Sequence, residues 1–449
     1  ASRDSLLQRI QYQEPNTGIR EKWQYNNFMF LTQGMIAEKI SGKSWEENIK
    51  EKIFTPLGMS RSNLSIKDME KDGDASLGYG LKKDSSVKKL GYFNIDGMGP
   101  AGSINSSVTE MANWVITWIN NGKFNGKEVL PESYIREAIS AQMAIGGALP
   151  DKEQPDIYFS NYGLAWFLSS YRGHYRVEHG GNIDGFSAST SFFPADSIGI
   201  IVLTNQNASA IPSVLRNMIA DRMLKLKYKN WSNDRKMAIA KLALQAKEAE
   251  KNKTSNRVPD TKPSHPLADY KGLFNNPGYG DIEIYSKNDS LFARTNKDSL
   301  WLRHYHYDVF EVKGFDKEDG LDTSSGGTVL NFRTSDDGKI GSLSITLEPS
   351  LKPIAFVFKP KPKVLSVEEL QKYVGEYELG SMTTKVYLKG ETLFVFVPGQ
   401  PEYETIALGD HTFKLKVLDG YSVKFDVTDD KVTGMDCIQP NGVFRAKRK

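Results

Sequence analysis

A tyrosine and an asparagine lie two positions apart at the start of an amphipathic segment, in Tyr25-Asn26-Asn27. A tyrosine hydroxyl can relay a proton when neighbouring cations lower its pKa, and an amide side chain can grip a peptide bond through its donor and its acceptor. Because Tyr25 and Asn27 end a loop and open a predicted helix, both side chains can point into one cleft. Taken alone, the pattern is more often a buried tyrosine beside an N-capping asparagine.

A second candidate is His179-Gly180-Gly181, which comes at the start of a predicted edge strand. Two glycines in a strand let a ligand approach the backbone closely, and their N–H groups can face an oxyanion. The alternative is a glycine turn with a surface histidine, and for this triplet alone that alternative is the better one. Both candidates therefore gain weight only from their combination.

Two further histidines, His304 and His306, share one face of a predicted strand and could form a metal pair. No cysteine or acidic cluster lies near them, so packing or surface structure is favoured over a metal site. Asp308 and Glu311 are predicted to be solvated rather than to act as ligands. We predict no metal and no other cofactor.

The elements that must position these residues show mixed signals over 1–228. Residues 187–194 and 198–205 are rich in β-forming residues and predict neighbouring strands. Residues 211–226 then predict an amphipathic helix. Strands followed by a packed helix are typical of an α+β domain.

The rest of the chain changes character twice. Residues 229–263 contain an alanine- and lysine-rich helical segment, and the stretch "VPDTKPSHP" (258–266) that follows it has three prolines, which indicates a linker. Beyond it, short alternating strands recur, and "LADYKGLF" is repeated as "LQKYVGEY" 103 positions later. This internal repeat predicts two small all-β domains, 264–362 and 363–449, each long enough for a barrel or a sandwich.

Composition excludes several classes of protein. The formal net charge is +3, which gives no reason to expect a nucleic-acid partner. The longest aliphatic run, 198–203, is far short of the roughly 20 residues that a transmembrane helix needs. Cys437 is the single cysteine, so an internal disulfide is excluded.

In combination, these stretches carry a family resemblance. From residue 1 to about 228 the chain resembles the serine β-lactamase and penicillin-binding protein superfamily, in its class C-like branch. The resemblance rests on "YNNFMFLTQGMIAEKISGKSWEENIKEKIFTPLGM", "GPAGSINSSVTEMANWVITWINNGK", "YGLAWF" and "VEHGGNIDGFSASTSFFPADSIGIIVLTNQN". The C-terminal half resembles the lipocalin-like appendages of some members, through "YKGLFNNPGYGDIEI" and "HYHYDVFEV".

The resemblance implies a fold and a set of roles. The fold is an antiparallel sheet with helices, followed by two small barrel-like β domains. Tyr25 and Asn27 would assist proton transfer and hold the substrate amide. His179 and Gly181 would bind the carboxylate side of the substrate, and with Gly180 they would frame the oxyanion hole. The backbone N–H of Asn182 would be one oxyanion donor.

The family's nucleophile is the serine of a Ser-x-x-Lys motif that lies well upstream of Tyr-x-Asn. The residues before Tyr25 contain no such motif. The two matches, Ser85 to Lys88 and Ser86 to Lys89, follow Tyr25 in a lysine-rich segment that predicts a solvated loop. We therefore expect that the N-terminal part of the domain is absent, that the chain alone is inactive, and that a sheet edge is exposed or covered by a partner chain.

Two functions follow as alternatives. The first is a serine hydrolase that forms an acyl-enzyme on small peptides, amides, esters or β-lactams, with D-amino-acid peptides of the cell wall as a natural class. His179 in place of lysine favours a peptidase or esterase over a dedicated β-lactamase. The second is a non-catalytic protein that binds peptide or glycan in the cleft or the β domains. The resemblance implies a periplasmic or extracellular location.

Overall fold

The computed structural model describes residues 2–449 except 83–84, 147–149, 151, 153–154, 252–255, 296–298, 317–319, 323–326, 349–350, 381 and 419. The chain forms two compact units, Ala1–Ser255 and Asn256–Lys449. Part of the linker predicted at 229–263 lies outside the described residues. None of the described helices has both the length and the apolar character needed to cross a membrane.

Helices and a sheet build the N-terminal unit. Its helices are α1 Arg3–Ile10, α2 Asn27–Ser41, α3 Trp45–Ile49, continued by a π-helical segment Lys50–Phe54 and α4 Thr55–Leu57, α5 Ile66–Met69, α6 Gly99–Gly102, α7 Val108–Ile119, α8 Glu132–Ala138, α9 Ile211–Met223 and α10 Trp231–Lys251. Its strands are β1 Gly78–Leu81, β2 Val87–Leu90, β3 Lys123–Phe124, β4 Lys127–Glu128, β5 Met143–Ala144, β6 Ser160–Tyr162, β7 Phe167–Tyr171, β8 His174–Ile183, β9 Phe186–Phe193 and β10 Ile198–Thr204.

The central sheet has six antiparallel strands in the order β10-β9-β8-β7-β6-β5. On one side, a cluster of large apolar side chains packs between the sheet and helices α7 and α8. Trp118 is its centre, with ring centroids 5.1 Å from Trp166 and 6.1 Å from Phe192. Helix α9 packs against β9 and β10. The α+β fold with an antiparallel sheet is therefore confirmed.

Strands β8 and β9 form a hairpin closed by two residues. Ile183 pairs with Phe186, so Asp184 and Gly185 make the turn. Gly185 has φ +92°, a conformation that glycine adopts without steric cost. A Cβ at this position would also lie 2.7 Å from the Cα of Gly78. This turn fixes the register of β8, the strand that carries the predicted His-Gly-Gly segment.

Strand β10 forms one edge of the sheet. In the described part of the chain, β9 is its only partner within this sheet. Leu203 on this strand is 38% exposed. Any open sheet has edge strands, so this edge is compatible with a missing segment without testing it. The truncation stays a prediction.

Two closed barrels of eight strands form the C-terminal unit. The first is β14-β13-β12-β11-β19-β18-β17-β15, closed by pairing of β14 with β15, and β16 adds to β15. The second runs β20 to β27 in chain order and is closed, with β20 pairing to β27 and helix α11 Val367–Gln371 just before it. The predicted barrel-like domains are confirmed as barrels.

The strand bounds of this unit follow the chain. The first barrel has β11 Gly272–Asn276, β12 Gly280–Lys287, β13 Ser290–Arg294, β14 Ser299–His306, β15 Val309–Asp316, β16 Gly320–Asp322, β17 Val329–Thr334, β18 Ile340–Ile345 and β19 Ile354–Lys359. The second has β20 Gly375–Leu379, β21 Met382–Lys389, β22 Thr392–Phe396, β23 Glu402–Gly409, β24 Thr412–Leu415, β25 Ser422–Thr428, β26 Lys431–Gln439 and β27 Gly442–Arg448.

Equivalent aromatic pairs occupy both barrel cores. Tyr270 lies with its ring centroid 5.5 Å from Phe310, and Tyr373 lies 4.8 Å from Phe413. Both tyrosines are buried, and the members of each pair recur 103 positions later. The offset seen in the sequence thus corresponds to the same packing position in each barrel.

Candidate active site

The chain enters α2 through an asparagine cap that orients Tyr25. Asn26 has extended backbone, and its Oδ1 accepts a hydrogen bond from the N–H of Phe28 at 2.8 Å. This contact satisfies one of the free N–H groups at the helix start. Tyr25 is 38% exposed rather than buried, and Asn27 is exposed as the first helical residue. The asparagine that caps the helix is therefore not the one that the Tyr-x-Asn pattern singles out.

Tyr25 meets His179 across two elements that are far apart in sequence. Their ring centroids are 5.8 Å apart, and the Tyr25 ring also lies 5.6 Å from Phe30 in α2. The start of α2 and the strand β8 are thus brought together, as a shared cleft requires. Burial raises the pKa of Tyr25, so its hydroxyl is protonated at neutral pH.

The backbone of β8 beyond Glu178 faces open space on one side. Strand β7 pairs with β8 only as far as the pair Phe167 and Glu178. In an antiparallel hairpin closed by two residues, successive pairs alternate between exchanging hydrogen bonds and pointing away from each other. Counted from either hairpin turn of β8, the N–H groups of Gly180 and Asn182 point away from β9, on the side where β7 has ended.

The glycines themselves are extended and exposed. A Cβ at Gly181 would find nothing within 4 Å, whereas a Cβ at Gly180 would lie 3.2 Å from the carbonyl oxygen of Ala188. The side-chain Oδ1 of Asn182 accepts a hydrogen bond from the Ser187 hydroxyl at 2.6 Å. That contact ties the Asn182 side chain to β9 and leaves its backbone N–H as the group that a ligand can use.

Both ring nitrogens of His179 have a partner. Nδ1 lies 2.7 Å from the carbonyl oxygen of Gly180, and Nε2 lies 3.1 Å from the hydroxyl of Tyr162. Burial lowers the pKa of His179, against the opposing effects of the Gly180 carbonyl and the neighbouring Glu178 carboxylate. Burial and the nearby Tyr25 raise the pKa of Tyr162. Neither ring carries a charge at neutral pH.

Aromatic side chains that the sequence analysis did not single out surround His179. Trp23 lies 5.7 Å from Tyr162 and 5.8 Å from Phe167, and Phe167 lies 5.2 Å from His179, as distances between ring centroids. We call this group, with Tyr25 and Phe30, the aromatic wall: Trp23, Tyr25, Phe30, Tyr162 and Phe167. Tyr162 and Phe167 bound the stretch "YGLAWF", but its sequence alone gave them no role.

The two Ser-x-x-Lys matches lie in a β-hairpin. Ser85 has φ +66°, and its N–H donates to the carbonyl oxygen of Lys82 at 2.9 Å. Ser86 follows in the same turn, and Lys88 and Lys89 lie on β2. A serine in such a turn is not at the start of a helix, which is where the motif of the family places its nucleophile.

The second histidine pair has local structural contacts. Nε2 of His304 lies 3.0 Å from the carbonyl oxygen of Tyr307, and Nδ1 of His306 accepts a hydrogen bond from the N–H of Val258 at 3.2 Å. Asp308 accepts hydrogen bonds from Ser264. Within the described residues, no three histidine, cysteine or acidic side chains are grouped in a way that could hold a metal.

Comparison with known proteins assigns a family to this region. Residues 1–221 match the Beta-lactamase family model, and residues 256–358 match a domain of unknown function, DUF3471. The match covers most of the N-terminal unit and supports its membership of the serine β-lactamase and penicillin-binding protein superfamily.

Individual relatives are distant. The chain is 25% identical over 370 residues to the unguisins hydrolase UngD' of Aspergillus campestris, covering 78% of this chain and 66% of that protein. It is 25% identical over 284 residues to UngD of Aspergillus violaceofuscus, covering 59% and 50%. The octameric penicillin-binding protein homologue from Pyrococcus abyssi superposes with a TM-score of 0.43 at 19% identity, covering 76% and 66%. The chain thus spans less than two thirds of these relatives' lengths.

The partly buried, neutral ring of His179 predicts a pH effect on stability. Because burial lowers its pKa below the ordinary 6.5, the unfolded chain takes up a proton first as pH falls. The free energy of unfolding should therefore fall as pH decreases through 6.5 towards the folded pKa. We expect urea denaturation at pH 7.5 and pH 5.5 to show a larger loss for the wild-type protein than for His179→Gln. Equal losses would contradict the expectation.

Proposed function

We propose that the N-terminal unit forms the substrate site of a serine hydrolase of the class C β-lactamase and DD-peptidase type. The observation that carries the proposal is the contact between Tyr25 and His179 beside the outward N–H groups of Gly180 and Asn182. A proton-relaying hydroxyl beside free backbone donors on an open strand is part of the arrangement that acyl transfer needs.

The roles follow from the chemistry of each group. A carbonyl oxygen placed against the outward N–H group of Asn182 would gain one donor for the negative charge that develops on it. The N–H of Gly180 lies about 6.6 Å away along the extended strand, so it would hold a second acceptor of the substrate rather than the same oxygen. Tyr25 holds its proton at neutral pH, so it would act by donating to the leaving group or to a water rather than as a phenolate base. Asn27, exposed two residues further on, would hold the substrate amide.

In the reaction, a serine oxygen attacks the carbonyl carbon, the carbonyl oxygen becomes the oxyanion, and the amine or alcohol leaves with a proton. The substrate class is a peptide, amide, ester or β-lactam carbonyl. The names of the curated relatives, hydrolases of unguisins, agree with a hydrolytic reaction. A periplasmic or extracellular location and cell-wall D-amino-acid peptides as substrate are part of the proposal.

We further propose that this chain alone does not form an acyl-enzyme. Its Ser-x-x-Lys matches, at Ser85 and Ser86, lie in a hairpin turn, where no helix start presents the hydroxyl to a lysine. The chain then contributes walls, donors and the proton relay, but not the nucleophile.

Two measurements test the proposal together. Intact mass after exposure to a fluorophosphonate or a penicillin should show no covalent adduct, and N-acetylphenylalaninamide should bind by saturation-transfer NMR. A stoichiometric adduct that disappears in Ser85→Ala or Ser86→Ala would overturn the proposal that this chain does not supply the nucleophile. Absence of binding by the amide, with no adduct, would contradict a substrate site in this unit. Binding without an adduct, unaffected by changes at Tyr25, would favour a non-catalytic binding protein.

A further inference from the structure

The hydrogen bonds of His179 define its tautomer. The carbonyl oxygen of Gly180 can only accept, so Nδ1, at 2.7 Å, must carry the proton that is donated to it. In a neutral ring the other nitrogen, Nε2, is then an acceptor, and the hydroxyl of Tyr162 at 3.1 Å donates to it. A donor aimed at Nε2 favours the neutral ring over the cation.

Among the described residues, the groups whose rings or hydroxyls contact the His179 ring supply no counter-charge for an imidazolium. Tyr25, before α2, and Tyr162, on β6, are the titratable groups that face the ring, and both are neutral at pH 7. Phe30 and Phe167 complete the faces contributed by α2 and β7.

A nearby carboxylate that acts on the ring is that of the adjacent residue, Glu178, whose side chain lies on the opposite face of the strand. It is held by Arg176 at 3.0 Å and by Arg216 of α9. Its charge is therefore already matched by two guanidinium groups.

We propose that Tyr162 is a positioning residue that holds His179 as the neutral Nδ1–H tautomer, so that the site selects acyl donors without a carboxylate beside the scissile bond. This inference rests on the proposed function for its substrate part. It departs from the role implied by the family resemblance, in which this strand binds the carboxylate side of the substrate. A neutral nitrogen whose lone pair is already used cannot attract an anion, and the aromatic wall offers an apolar surface instead.

The positioning half is tested by the ring nitrogens themselves. In ¹⁵N-histidine-labelled protein at pH 7.5, long-range ¹H–¹⁵N spectra should show His179 entirely as the Nδ1–H tautomer, with the signal assigned through His179→Gln. In Tyr162→Phe, the ring should become a mixture of tautomers and should bind a proton at higher pH than in the wild type.

The matched control is Tyr175→Phe. It removes a part-buried hydroxyl that donates to the carbonyl oxygen of Ile139 at 2.6 Å, from the strand that carries His179. It should leave the His179 signals unchanged. An Nε2–H tautomer in the wild type, or identical His179 titration in Tyr162→Phe, would overturn the assignment, and the wild-type spectrum decides the first point even if the variant fails to fold.

The selectivity half is tested with a matched ligand pair. Both enantiomers of N-acetylphenylalaninamide and of N-acetylphenylalanine are titrated at pH 7.5, and we expect the amide to bind at least about tenfold more tightly than the carboxylate. In Tyr162→Phe at pH 6 this ratio should shrink, since the ring can then take up a proton. Equal or tighter binding of the carboxylate to the wild type would overturn the selectivity. Failure of both ligands to bind would instead contradict the proposed substrate site, and with it the substrate part of this inference.

Discussion

Replacing Asp221 with alanine is expected to lower the free energy of unfolding of the N-terminal unit by about 3–5 kcal/mol. Asp221 lies on α9 and is 5% exposed. Its carboxylate accepts hydrogen bonds from the Tyr171 hydroxyl and the Trp231 indole N–H, both at 2.7 Å, and forms an ion pair with Arg172 at 2.8 Å. The alanine variant leaves a guanidinium and two buried donors without this acceptor, and that loss is large because the groups remain out of water.

The measurement is urea denaturation followed by tryptophan fluorescence, since six of the seven tryptophans lie in the N-terminal unit. Asp221→Asn keeps the shape of the side chain and should lose less than the alanine variant. Asp72→Ala is the matched control, because Asp72 pairs with Arg61 at 2.8 Å on the surface, where such pairs contribute little. If Asp221→Ala lowered the free energy of unfolding no more than Asp72→Ala, the contacts of the buried Asp221 carboxylate would not stabilise the N-terminal unit as expected.

The contacts of Asp221 and its helix matter for the site because they involve strands β7 and β8. Tyr171 ends β7, the strand whose first residue, Phe167, belongs to the aromatic wall. On the next strand, Arg216 of α9 contacts Glu178, the neighbour of His179. Helix α9 therefore contacts both β7, through Tyr171, and β8, through Glu178. Phe167 of β7 and His179 of β8 belong to the candidate site. Loosening α9 should disturb ligand binding as well as stability.

Much of the fold could be predicted because its signals are local. The alternating β-forming residues at 187–194 and 198–205 became β9 Phe186–Phe193 and β10 Ile198–Thr204, within one residue at each end. The repeat of 103 residues predicted two β domains because each copy carries its own turns and core positions. Such patterns need no knowledge of distant contacts.

The helix after residue 229 shows where local signals are insufficient. The sequence predicts a helical, proline-containing linker over 229–263. The first residue of α10, Trp231, stacks on Tyr171 with ring centroids 6.0 Å apart, and its indole N–H donates to Asp221. This stacking contact with Tyr171, together with the hydrogen bond to Asp221, attaches the start of α10 to β7 and α9. The alanine- and lysine-rich composition predicts that the rest of this helix is exposed, but it does not predict the contacts of Trp231.

The candidate site divides in the same way. Tyr25 and His179 could be paired in advance because the family resemblance supplied both motifs, and the structure brings their rings to 5.8 Å. Trp23, Tyr162 and Phe167 could not be assigned to the site from the sequence, because aromatic residues are also common in protein cores. Their assembly around His179 depends on where β6 and β7 end. The tautomer of His179 follows from two hydrogen bonds that exist only in the folded chain.

The second large effect is expected at Gly181, where valine should weaken ligand binding strongly without unfolding the protein. Gly181 has ordinary extended backbone, and the space that its side chain would occupy is empty for 4 Å. Valine suits a strand, so the free energy of unfolding should change by no more than about 0.5 kcal/mol. Side chains alternate along a strand, so the new isopropyl group would lie on the same face as His179. We expect the dissociation constant of N-acetylphenylalaninamide to rise at least about tenfold.

Substitutions at two other glycines make the result interpretable. Gly91→Val is the control, because Gly91 is also exposed with nothing within 4 Å of a Cβ but lies outside the site, so binding and stability should both be preserved. Gly180→Val places its side chain on the opposite face, 3.2 Å from the carbonyl oxygen of Ala188, and should reduce stability as well as binding. Unchanged affinity in Gly181→Val would mean that the ligand does not approach β8 from the His179 face. The proton relay at Tyr25 would then have no substrate within its reach, because the face it shares with His179 would be empty in the complex.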